Sequence, residues 1–181
     1  MSKIMAHLEM SLDGIAEAPE TWAHAYFIDE MAQGPGAGAR ETGTVLFGRK
    51  TYEEFSAYWP YQDADSVPFA GFLNGSRKIV ASNTMTTARW GPAEILSGDV
   101  EGAIADLKNK PGADMLVLGS LTLVGALLRA RLLDTLELNV FPVMLGGGRR
   151  LFESSERVPL TLTDSQTFKN GVMRLRYELE P

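Results

Sequence analysis

The sequence predicts an α/β domain in three layers, a mixed and mostly parallel sheet with helices on both faces. Three observations predict it. Short apolar runs rich in β-branched residues, at 44–48, 78–82 and 115–118, read as strands buried on both faces, as parallel strands are. Segments with helical spacing alternate with them, the pattern of crossover connections. Strict alternation near both ends of the chain adds strands of the half-exposed kind. The 181 residues suit one domain spanning 1–181.

Each element follows from its own pattern. Ile4, Ala6, Leu8 and Met10 alternate with Lys3, His7 and Glu9, which predicts a first strand ending at the turn Asp13-Gly14. Pro19 and Glu20 open a segment, 21–33, in which Trp22, Phe27 and Met31 predict a helix. After the strand at 44–48, residues 51–57 predict a short helix, and 58–74 a long loop with two prolines. A connection of that length suggests a segment that orders over a ligand. Asp99 is placed to cap a helix carrying Val100, Ile104 and Leu107, ended by Pro111-Gly112. Ser120 is placed to cap the next, which carries Leu123, Val124, Leu127 and Leu128. Strands are expected over 136–140, 158–163 and 173–179.

Composition narrows the function. Seventeen Lys and Arg against twenty-three Asp and Glu leave a net charge of −6, which argues against a protein that coats nucleic acid or anionic membrane. The absence of cysteine removes disulfides, thiolate metal sites and cysteine nucleophiles. His7 and His24 are the only histidines and lie in no metal-binding pattern, so no metal is expected. The first ten residues lack the apolar run of a secretory signal, and no stretch approaches the ~20 apolar residues of a membrane span. A soluble, cytoplasmic protein is expected.

Gly48-Arg49-Lys50-Thr51 falls where a buried strand becomes a helix. Free backbone N–H groups and the positive helix end favour an anion there, although a plain turn with two solvated bases fits too. Gly119-Ser120 occupies the same kind of junction. Both turns lie at carboxyl ends of parallel strands, where ligands of open α/β sheets bind. The run Gly34-Pro35-Gly36-Ala37-Gly38-Ala39 matches a loose dinucleotide pattern but follows a predicted helix, the wrong context. Trp59, Pro60, Tyr61, Phe69 and Phe72 could line a pocket for a flat ligand or simply pack their segment to the body.

Taken in order, these pieces resemble the dihydrofolate reductase-like superfamily, especially the branch containing the reductase domain of riboflavin biosynthesis. The resemblance is carried by Ser11-Leu12-Asp13-Gly14-Ile15-Ala16, by Leu46-Phe47-Gly48-Arg49-Lys50-Thr51-Tyr52-Glu53, by Lys78-Ile79-Val80-Ala81-Ser82, by Leu118-Gly119-Ser120, and by Phe141 to Phe152 with its Gly146-Gly147-Gly148-Arg149-Arg150. It implies a sheet of about eight strands with NADPH across the strand ends. Arg49, Lys50 and Thr51, after Gly48, would approach the cofactor phosphates, and Ser82 and Asn83 the adenosine end. Gly119, Ser120 and Leu121 would pass under the pyrophosphate and ribose, and Ala6 and Ile15 would border the nicotinamide. This chain departs from dihydrofolate reductases in having Gly119-Ser120 in place of a Gly-Gly pair. A stand-alone reductase-like protein, without the fused deaminase of the riboflavin branch, is expected.

The resemblance implies an NADPH-dependent reductase that delivers hydride to a small conjugated heterocycle, pterin- or pyrimidine-like. Asp13 and Asp29 are the candidate acids, although each reads more simply as a charge of the Asp13-Gly14 turn or of a helix surface. The alternative is a non-catalytic nucleotide-binding module that keeps the fold. A homodimer is expected from the same resemblance, with the apolar Leu136, Leu138, Val140 and Phe141 as its surface or as an ordinary buried strand.

Overall fold

The computed structural model describes residues 1–31, 43–153 and 157–179. Eight strands form one sheet: β1 (Ile4–Ser11), β2 (Thr44–Gly48), β3 (Arg77–Ala81), β4 (Ala93–Leu96), β5 (Met115–Leu118), β6 (Thr135–Phe141), β7 (Leu160–Thr167) and β8 (Met173–Leu179). Their order across the sheet is β4-β3-β2-β5-β1-β6-β8-β7. Every pairing from β4 to β6 is parallel, and β8 runs antiparallel to both its neighbours. The predicted fold class is the observed one.

Among the described residues four helices cover the sheet: α1 (Arg49–Tyr58), α2 (Pro68–Gly75), α3 (Val100–Asn109) and α4 (Leu121–Arg129). Ile4, Ala6 and Leu8 of β1 pack with Ile104 of α3 and with Leu123, Val124 and Leu127 of α4. Met5 of the same strand packs on the opposite face with Tyr52 of α1 and Leu73 of α2. The helix after β2 therefore leaves to one face and the helix after β5 to the other, and β2 and β5 are neighbours. Adjacent strands whose connections diverge leave a crevice outside their carboxyl ends. That topology positions the site.

Local chemistry explains most elements. Asp99 caps α3 as its spacing predicts, accepting from the Gly102 amide at 2.9 Å. Several expectations need correction. The segment 21–33 does not form the predicted helix; its described part makes two 3-10 turns, Pro19–Thr21 and His24–Tyr26. Trp22, Tyr26 and Phe27 fold around Phe141 instead, with ring centroids 5.4–6.0 Å apart. Long-range aromatic packing overrides the local spacing.

The stretch 58–74 is not a bare loop, for it holds a 3-10 turn, Trp59–Tyr61, and most of α2. Trp59 packs on Phe55 and Phe69, so these aromatics mainly fasten the segment to the body. Strand β4 was not expected, being short, half-exposed and at the sheet edge. The strand expected at 158–163 is displaced to Leu160–Thr167, an exposed polar edge with a bulge between Leu162 and Asp164. Leu136, Leu138 and Phe141 are buried, and Val140 partly buried, between β1 and β8 within one chain, as an ordinary buried strand is. The glycine run from Gly34 and residue Gln33 lie outside the described residues.

Candidate active site

The turns after β2 and β5 are interlocked. The Gly48 amide donates to Ser120 Oγ at 2.8 Å, and the Ser120 amide donates to Thr51 Oγ1 at 3.1 Å. Ser120 therefore does not cap its own helix as its position predicts; its side chain reaches across to the neighbouring strand. The backbone explains why. Ser120 has φ +55 and Gly119 φ +56, two left-handed residues in succession, which turn the hydroxyl away from the helix. A non-glycine there costs about 1 kcal/mol. At Gly119 a Cβ would come within 3.2 Å of Thr51 Cγ2, so the turn also needs the space that glycine leaves.

Neither N-cap residue, Gly48 or Ser120, caps its own helix with a side chain. Two positive helix ends thus open side by side at the crevice, which favours an anionic ligand. Arg49 is half-exposed and forms a two-pronged pair with Glu53, at 2.9 and 3.0 Å, while Lys50 stands 3.9 Å from Glu54. Both cations lean along their own helix. A cavity of about 400 Å³ begins at the start of α4, lined by Leu121, Thr122, Arg149 and Arg150 among others.

The remaining expected residues have local duties. Ser82 Oγ accepts from the amides of Thr84 and Met85, and Asn83 Oδ1 accepts from the Gly98 amide at 2.7 Å. They shape the rim beyond β3. Ala6 is fully buried toward α3 and α4, so its side chain faces away from Met5 and His7. Ile15 is buried in the turn after β1, where its amide donates to Ser11 Oγ at 2.9 Å.

Asp13 is an anchor. Its carboxylate accepts from Ser11 Oγ at 2.6 Å, from the Leu145 amide at 3.1 Å and from the Gly146 amide at 2.8 Å. The Ser11 hydroxyl and then the two amides stabilise the charged form and lower its pKa to about 2. A group so acidic holds the glycine-rich loop and is a poor proton donor near neutral pH. Asp29 is exposed just beyond the second 3-10 turn.

The sequence reading missed a buried polar cluster on the face of β1 opposite Ala6. His7 Nδ1 lies 3.0 Å from Glu137 Oε1 of β6, and Nε2 lies 3.4 Å from Glu9 Oε1. Burial alone would push the imidazolium down, but hydrogen bonds to Glu137 and Glu9, and their charge, outweigh it and raise its pKa to about 9. His7 is thus a cation at neutral pH. It pairs in register with Leu118, the last residue of β5, so Glu9 lies beyond that strand's end, beside the crevice. Alternation in β1 marks His7 and Glu9 as a polar face. What hides their role is that a polar face in a lone strand reads as solvent-facing. Among the described residues no cluster of His, Cys, Asp and Glu suits a metal ion.

Comparison with known proteins agrees with this fold. The model of the RibD C-terminal domain family matches residues 2–174. The uncharacterized protein YyaP of Bacillus subtilis (strain 168) is 26% identical over 182 residues, covering 97% of this chain and 94% of YyaP. A crystal structure from Shewanella sp. PV-4, named for riboflavin biosynthesis, superposes with a TM-score of 0.75 at 22% identity over 99% of both chains. A pyrimidine reductase-like protein of Corynebacterium diphtheriae gives 0.66 at 13% identity, over 99% of this chain and 92% of its own. RibD of Acinetobacter baumannii gives 0.60 at 17% identity, and this chain spans 59% of it. With its eight-stranded sheet and a family match over nearly its whole length, this chain belongs to the RibD C-terminal domain family.

Proposed function

We propose that the chain is a reductase that binds NADPH across the ends of β2 and β5 and reduces a small, conjugated, pterin- or pyrimidine-like heterocycle. The single observation that carries this reading is the interlock of Gly48, Thr51 and Ser120, which presents two uncapped helix ends to one crevice. Those ends, the close approach allowed at Gly119 and the nearby Arg149 and Arg150 fit the phosphates of a dinucleotide. The bound nicotinamide would supply hydride. The chain's own work is to orient the two reactants and to exclude water around them. The nucleotide-binding module without turnover is the second reading, and the commitment of Asp13 to its loop favours it.

Calorimetric titration with NADPH and NADH, followed by turnover assays on pterins and pyrimidines, separates the two readings. Arg49→Ala is expected to weaken NADPH about tenfold and NADH less, because a charge-assisted bond to phosphate contributes ~1.5–3 kcal/mol, partly offset by release from Glu53. Equal losses for both cofactors would remove Arg49 from selectivity. No binding of either would sink the reading.

A further inference from the structure

Among the described residues, three buried side-chain polar atoms lack a hydrogen-bond partner: Glu9 Oε2, Asn139 Oδ1 and Arg174 Nε. They are not scattered. Glu9 stands opposite Asn139 in the β1–β6 pairing, and Asn139 stands opposite Arg174 in the β6–β8 pairing. The three form one row across three neighbouring strands, on the same face of the sheet. With strands about 4.8 Å apart, the row is ~10 Å long, the length of a fused two-ring heterocycle.

Each member is already held. Glu9 keeps its other carboxylate oxygen on His7, whose second nitrogen is fixed by Glu137. The Arg174 guanidinium lies over the Phe168 ring at 5.0 Å. Asn139 is only 4% exposed. Apolar clusters flank the row, one with Met5, Leu118 and Tyr52, the other with Phe141, Phe168 and Tyr26. Native proteins leave few buried polar atoms unpaired, because each loses its bonds to water without replacement. Three of them in register, between two apolar walls, mark a surface built for a partner that arrives later.

We propose that Glu9, Asn139 and Arg174 form the recognition floor for a planar ligand, which offers an exocyclic amino group to Glu9 and an acceptor to Arg174. His7 is a positioning residue that fixes the Glu9 carboxylate. The Asn139 amide carries both a donor and an acceptor and can serve whichever group lies between. The facing charges are the carboxylates of Glu9 and Glu137 and the cations of His7, Arg174 and Arg176, the last opposite Glu137. With the carboxylates already facing these cations, a neutral heterocycle fits better than a free cation. Naming this ligand the substrate rests on the reductase reading; the donor–acceptor pattern does not.

Pterin and lumazine distinguish the pattern, since pterin carries an amino donor where lumazine carries a carbonyl. Wild type, Glu9→Gln and Asn139→Leu are titrated calorimetrically with each compound, with and without NADPH, and their thermal midpoints are recorded. Wild type is expected to bind pterin about tenfold or more tightly than lumazine, and Glu9→Gln to erase that preference. Asn139→Leu is expected to weaken pterin at least tenfold while raising the thermal midpoint of the free protein, because it removes an unpaired buried group. A purely structural row gives the opposite: a lower midpoint with ligand affinity unchanged. That result, equal affinity of wild type for the two compounds, or no binding of pterin, overturns the proposal. A pterin preference without NADPH binding upholds the row and defeats the reductase reading. NADPH binding without the preference does the reverse.

Discussion

The two faces of β1 do different work. Toward α3 and α4 the strand presents Ile4, Ala6 and Leu8, all buried against aliphatic side chains. Toward the other face it presents Met5, His7, Glu9 and Ser11, three of them polar and none of those three fully exposed. One backbone, with a side-chain period of two, supports both a close-packed core and a buried polar floor. The difference teaches where stability and specificity separate. The first face gains by excluding water. The second gives up some of that gain, leaving one carboxylate oxygen of Glu9 unpaired.

Three tests would break or sharpen this contrast. The largest effect belongs to the apolar face. Leu136→Ala, at a fully buried position beside β1, should cost about 2–5 kcal/mol in urea unfolding, with the pH profile otherwise unchanged. A loss under about 1 kcal/mol would mean that this face does not carry the stability assigned to it.

The polar face should respond to pH. The folded pKa of His7, about 9, lies above its ordinary value of 6.5. Below pH 6.5 both folded and unfolded chains hold the proton, and the full contribution is present. As pH rises the unfolded chain releases its proton first, and the contribution is lost as pH passes through about 9. The span is on the order of 3 kcal/mol. Unfolding of wild type and His7→Asn across this range checks it. His7→Asn should show a flatter profile, and parallel profiles would remove His7 from the account.

The smallest effect lies at the end of β1. Asp13→Asn should leave global stability nearly intact but loosen the loop that its carboxylate holds. Faster exchange of the Leu145 and Gly146 amides is the expected signature. In wild type the Asp13 pKa is depressed from 3.8 to about 2, so the tether is present above pH 3.8 and lost as pH falls through about 2. Gly146 amide shifts that stay constant down to that pH would contradict the tether.

Sequence patterns that depend on neighbours in the chain were legible. The apolar runs that became β2, β3 and β5, the Asp99 cap and the strand-to-helix turns at Gly48 and Gly119 all follow from local spacing and backbone chemistry. The crevice at those two turns was legible in the same way, because neighbouring strands whose connections diverge leave one outside their carboxyl ends. The family features at Asp13-Gly14 and Gly146-Gly147-Gly148 were legible as motifs, but not the hydrogen bonds that join them across 133 residues.

What the tertiary structure decided was partnership. Ser120 is a local cap by sequence and a bridge to Gly48 in the fold, because two left-handed residues redirect its hydroxyl. His7 is an outward strand residue by alternation and a buried cation in fact, because β6 brings Glu137 to it from 130 residues away. Periodicity records which side of a strand a residue occupies. It does not record what will be packed there, and the charge of His7, the tether at Asp13 and the row from Glu9 to Arg174 all depend on that packing.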